Sequence, residues 1–157
     1  MSPFYRVRRL YLAERVFIMN QYVALSSKQQ KEIEAFPIMW AFSQKQFEEG
    51  MAQLGLLPSD TDKIYSIGAG GYIRKTDSEA LHELFARLEA EKRAAIDADE
   101  TGEGFIFDMF RYELDNHEYC ITWDLEPTLG ALGLTVDEIN DNPRLLHGLK
   151  LAMKACR

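Results

Sequence analysis

An α+β fold, with helices packed on a small antiparallel sheet of about four short strands, is predicted by three features of the sequence. Four Ser/Thr-x-x-Glu/Gln capping boxes mark helix starts, a glycine run separates two β-rich segments, and one stretch near residue 120 alternates apolar with polar residues. In chain order, Ser27 with Gln30 opens a helix near 27–36, closed by Pro37. Ile38-Met39-Trp40-Ala41-Phe42 is short, bulky and apolar, which suits a buried strand. Ser43 with Gln46 starts a helix over 43–54 that stops at Gly55. Ile64-Tyr65-Ser66-Ile67 and Tyr72-Ile73-Arg74 flank Gly68-Ala69-Gly70-Gly71, the spacing of a hairpin with a glycine-rich loop. Thr76 with Glu79 begins a helix over 77–96.

The segment 105–117 reads as a central, mostly buried helix. Asp108, Arg111 and Asp115 share one arc of it, and apolar residues occupy most of the rest. Tyr119, Ile121 and Trp123 alternate with Glu118, Cys120, Thr122 and Asp124, the signature of a fourth strand with one buried face. Thr135 with Glu138 caps a helix at 136–141, and Asn142 followed by Pro143 caps another at 143–156, proline being harmless at the first helical position.

The 157 residues are 46% apolar and 27% charged, enough to close one core. Net charge is −7, unevenly spread. Residues 1–18 hold four arginines against one glutamate, leaving 14 basic and 24 acidic residues, a net of −10, in a single acidic domain over 19–157. Such a body argues against nonspecific nucleic-acid binding, which needs lysine and arginine to displace counterions, and suits a protein partner with a basic surface. No apolar run reaches the roughly 18–20 residues that span a bilayer. Cys120 and Cys156 are too few for a disulfide framework or a Cys-only zinc site, and such a composition suits a reducing cytoplasm. The basic start has the positive flank of a signal peptide, but Glu14 and Arg15 split its apolar stretch and no small-residue cleavage site follows. Two readings stand for residues 1–18: a basic arm docked on an acidic surface, or a segment upstream of a true start at Met19.

Glu113 and His117 are the candidate chemical pair. Glu113 projects between Ile106 and Met109 on the helical wheel, and His117 lies one turn on, so both share an apolar face. A buried structural bond comes first, either to each other or with an arginine such as Arg74 or Arg87. A general acid/base pair comes second, and a metal site with Cys120 as a further ligand third. His82 and His147 border apolar stripes, and their spacing does not call for convergence on a metal. Gly68, Gly70 and Gly71, followed by Arg74 and Lys75, form a candidate anion site, although the run matches no phosphate-loop motif and a hairpin needing positive φ accounts for it. No cofactor is indicated.

Three phrases form a further pattern. They are Ala35-Phe36-Pro37-Ile38 leading into Ala41-Phe42-Ser43-Gln44-Lys45-Gln46-Phe47-Glu48-Glu49-Gly50-Met51, then Gly70-Gly71-Tyr72-Ile73-Arg74-Lys75-Thr76-Asp77, and Gly102-Glu103-Gly104-Phe105-Ile106-Phe107-Asp108-Met109-Phe110-Arg111-Tyr112-Glu113-Leu114. As a set they resemble an uncharacterised family of small proteins from phages and mobile elements of Gram-positive gut bacteria, over about residues 24–151. The resemblance implies no activity and no catalytic residue. The function expected is a noncatalytic acidic interaction module, one version of which mimics nucleic-acid charge. The alternative is a small enzyme or anion-binding domain using Glu113 and His117 with the Gly68–Gly71 loop.

Overall fold

A computed structural model describes residues 19–156; the expectations about residues 1–18 lie outside them. The elements are α1 (Gln21–Ala35), β1 (Met39–Trp40), α2 (Gln44–Gln53), β2 (Ile64–Gly68), β3 (Gly71–Arg74), α3 (Ser78–Ala98), α4 (Phe105–Asn116), α5 (Tyr119–Thr122), α6 (Glu126–Leu132), α7 (Val136–Asp141) and α8 (Pro143–Lys154). This is an α+β architecture, with one antiparallel sheet ordered β1-β3-β2. Two compact units emerge among the described residues, Lys28–Lys92 and a second formed by residues 19–27 with residues 93–156, and their boundaries fall inside α1 and α3.

In the Lys28–Lys92 unit, Met39, Met51 and Leu54 form a buried cluster, with Phe47, Leu56, Ile64 and Tyr72 packed around it. Met39 pairs with Tyr72 and Trp40 with Gly71, so Met39 and Tyr72 face the cluster while Trp40 turns to the other side. The β2–β3 hairpin closes through the Gly68–Gly71 pair with Ala69 and Gly70 between them. Both have positive φ, 50° and 78°, as a two-residue primed turn demands, which explains the glycine at the second position. Lys28 and Arg87 each bridge Glu32 and Glu91, joining α1 to α3 within this unit.

In the other unit, α4 is the central helix and packs on α5, α6 and α8. Phe105, Ile106, Met109, Phe110 and Leu114 meet Leu129, Leu132, Ile139, Leu145, Leu149 and Ala152 in the main core. The burial of α4 follows the wheel, because Ile106, Met109 and Glu113 all point inward while Asp115 stays exposed. Of the acidic arc, Arg111 pairs with Asp115, but Asp108 accepts from the Gln21 backbone N–H at the start of α1.

The sheet has three strands rather than about four. The strand expected over 118–124 is instead the short helix α5, flanked by Glu118 and Trp123 in left-handed conformation, at φ 55° and 58°. Its alternation is misleading because only Tyr119 is buried, whereas Ile121 and Trp123 are exposed. The first helix begins at Gln21, not Ser27. Asn20 accepts from the Val23 N–H and caps it, so Ser27 falls mid-helix. Thr76 lies in a 3-10 turn (Lys75–Asp77), and α3 starts after it. Asn142, accepting from the N–H groups of Arg144 and Leu145, caps α8, which ends at Lys154. Only the Thr135–Glu138 box forms reciprocally, and Ser43 caps α2 while Gln46 accepts from Phe42 N–H instead. Helix α6 has no counterpart in the expected elements.

Cys120 and Cys156 form a disulfide, their Cα atoms 5.2 Å apart. Two cysteines are too few for a framework of several bridges, but they form this single one. Helix α5 brings Cys120 against the turn after α8, a juxtaposition that a separation of 36 residues does not announce.

Candidate functional site

Glu113 is 7% exposed. Its Oε1 accepts a 2.6 Å hydrogen bond from the Tyr22 hydroxyl, and its Oε2 accepts from Asn116 Nδ2 at 3.3 Å. His117 Nε2 lies 3.4 Å from Oε2, at ion-pair distance but out of alignment for a hydrogen bond. The Thr128 hydroxyl donates to the Glu113 backbone carbonyl at 3.4 Å. Burial, then the Glu113 bond and its charge, push the Tyr22 phenol well above its ordinary pKa. Tyr22 also stands edge-on to Phe105 and tilted against Tyr112, which fixes its ring. So Glu113 and His117 do come together, though without a hydrogen bond between them. The group that holds Glu113, however, is Tyr22, 91 residues away in sequence. The arginines considered as partners are engaged elsewhere, Arg74 with Asp77 and Arg87 with Glu32 and Glu91. Cys120 is in the disulfide and does not join Glu113 and His117 as a ligand.

Gly68, Gly70, Gly71, Arg74 and Lys75 belong to the Lys28–Lys92 unit. Arg74 Nε donates to Asp77 Oδ2 at 2.7 Å, and Lys75 Nζ sits 5.1 Å from the centre of the Tyr65 ring. Both cations therefore already have partners within the fold. Above the glycines the sheet carries an exposed apolar face: a Cβ on Gly71 would meet Trp40 and Ile67 at 2.9 Å, and one on Gly70 would meet Phe42 at 2.7 Å. Trp40 is 52% and Phe42 76% exposed, with Tyr65 and Ile67 also open to solvent.

Asp99 organises the entry to α4. Gly104 at the N-cap has no side chain to offer. Instead Asp99 Oδ2 accepts from the N–H groups of Gly104 and Ile106 at 3.0 Å each, while Oδ1 accepts from Gly102 and Thr101. Burial opposes ionisation here, yet these four backbone donors outweigh it and hold the carboxyl below the ordinary 3.8. Arg144 completes the corner by donating to the carbonyls of Asp97 and Asp99 at 2.9 Å. Asp99→Asn should cost about 2 kcal/mol at neutral pH, because an amide nitrogen cannot accept. A depressed folded-state pKa stabilises above the unfolded value and loses that contribution as pH falls through the folded value. The gap between wild-type and variant urea midpoints should therefore be full at pH 7 and close as pH drops below about 4.

His82 Nδ1 contacts the Ser78 carbonyl at 2.7 Å and His147 Nε2 lies 3.0 Å from Glu103, so each is accounted for by a local neighbour. Among the described residues, one group offers three metal-type donor atoms close together, Asp115, Cys120 and Cys156, but its two sulfurs are bonded to one another. No described helix is long and apolar enough to cross a membrane.

Fold and site together define a helix-rich α+β protein with a small aromatic-faced sheet and a buried Tyr-Glu cluster. The chain belongs to a family of unknown function, DUF7659, whose model matches residues 21–155. No curated protein and no solved structure matches it.

Proposed function

We propose that residues 19–157 act as one acidic, noncatalytic domain of phage or mobile-element origin that docks on a basic protein surface in the cytoplasm. The observation that carries this reading is the outer face of the sheet, where Trp40, Phe42, Tyr65 and Ile67 are all solvent-exposed around the close-packed glycines. Clustered exposed apolar groups of this kind mark interaction sites more often than isolated ones do. Aromatic anchors supply the contact area, and the net charge of −10 over residues 19–157 supplies the attraction to a basic partner and raises its association rate. The environment of Glu113 supports the noncatalytic reading as well. Its oxygens are already engaged by Tyr22 and Asn116, and burial keeps substrate away. The hairpin geometry supports a turn role for Gly68, Gly70 and Gly71, with Arg74 and Lys75 held by Asp77 and Tyr65.

The test is a pull-down at two salt concentrations, with Phe42→Ser/Tyr65→Ser as the comparison. A basic protein should be retained at low salt, released at high salt, and lost with the double variant. Retention that ignores salt, or that survives both substitutions, would overturn the reading.

A further inference from the structure

A second site shares no residue with the sheet face or with the Glu113 cluster. Tyr119, Trp123, Lys150, Met153 and Lys154 line a cleft of about 400 Å³ between α5 and α8. That volume is within the range of small-molecule pockets. Three independent observations point to a ligand. First, Trp123 is 58% exposed and held at φ 58°, a backbone conformation that costs a non-glycine residue free energy and recurs at functional sites. Second, Lys150 and Lys154 have no ion-pair or hydrogen-bond partner among the described residues, although acids greatly outnumber bases in this half of the chain. Spaced i and i+4, they project from one side of α8. Third, the disulfide ties the two walls together, since Cys120 lies between Tyr119 and Trp123 and Cys156 follows Lys154 by two residues.

We propose that this cleft binds a small aromatic anion of the nucleotide class. The aromatic ring stacks on the Trp123 indole, beside the edge-on Tyr119, while the phosphate lies between the ammonium groups of Lys150 and Lys154. The same indole would stack any nucleobase, so length of the ligand is the discriminating property. A long polyanion meets the repulsion of the whole acidic chain, whereas a single nucleotide senses chiefly the two nearby lysines at physiological salt.

The full chain carrying Trp40→Phe leaves Trp123 as its single tryptophan, so its fluorescence reports on this cleft alone. Titration with AMP should quench it saturably, and adenosine or inorganic phosphate should each bind at least about tenfold more weakly. Lys150→Glu/Lys154→Glu, which alters only exposed side chains, should weaken AMP by about tenfold or more with an unchanged circular dichroism spectrum. Cys120→Ser/Cys156→Ser should weaken it about threefold or more by releasing the walls. Absence of saturable quenching, an affinity unmoved by the lysine reversal, or tighter binding of a thymidine oligonucleotide than of AMP would overturn the assignment.

Discussion

Glu113→Ala is expected to lower unfolding free energy by about 3–5 kcal/mol, measured from urea midpoints. The alanine removes the acceptor of a short bond from Tyr22 and leaves that phenol, already partly desolvated, with only Ser26 as a side-chain hydrogen-bond neighbour. It also opens a void at a position that is 7% exposed beside Ile106, Met109 and Leu114, none of which can collapse into it without leaving its own contacts. Glu113→Gln should cost less, because the amide oxygen still accepts from Tyr22, although its NH2 then faces the Asn116 amide donor. Tyr22→Phe should cost about 1–2 kcal/mol alone and little more in the Glu113→Ala background, which is how a double-mutant cycle reports a direct bond. A midpoint unmoved by Glu113→Ala would mean that the carboxyl is solvated and the Tyr22 bond is absent in solution.

The wheel over 105–117 placed Glu113 inside because a helix of that length repeats its burial pattern several times, and no local feature competes with it. Helices opened by Ser43, Thr135 and Asn142 were readable for a related reason: a cap acts over three residues, so sequence contains its cause. The hairpin was readable because positive φ restricts residue choice at its turn. Failure came where the cause is distant. Tyr22 reaches Glu113 across 91 residues, and Asp99 replaces a cap that Gly104 lacks from five residues upstream. The alternation at 118–124 misled because seven residues sample too few periods, and left-handed residues at both ends of α5 are not encoded by glycine. Ser27 and Gln30 satisfy the capping pattern but are overruled by Asn20, whose neighbour Gln21 also donates to Asp108. Trp40 and Phe42 lie in the apolar segment 38–42 that suits a buried strand, yet both are exposed, since hydrophobicity alone does not say which face is covered.

Gly102→Ala is the second large effect, expected to cost about 3–5 kcal/mol. At φ 81° an L side chain is strained by about 1–2 kcal/mol before any contact is counted. Its Cβ would also overlap the carbonyl oxygen of Arg144, a backbone atom at the start of α8 that cannot rotate away. Moving that strand of backbone would disturb the Arg144 bonds to the Asp97 and Asp99 carbonyls and the Asp99 bond to the Gly102 N–H. Gly148→Ala meets the same contact from the other side, with its Cβ 2.5 Å from the Gly102 carbonyl oxygen and 2.6 Å from Ile106 Cγ2. Here about 1 kcal/mol of helix propensity offsets the overlap, so the net loss should be smaller, about 1–2 kcal/mol. The two sites share one backbone approach, and a shift that accommodates the first methyl has already opened room for the second. Unfolding curves of the double variant should therefore fall short of the summed single losses by about 1 kcal/mol; strict additivity would mean that each glycine is required for its own conformation and not for the close approach of α8 to the loop before α4.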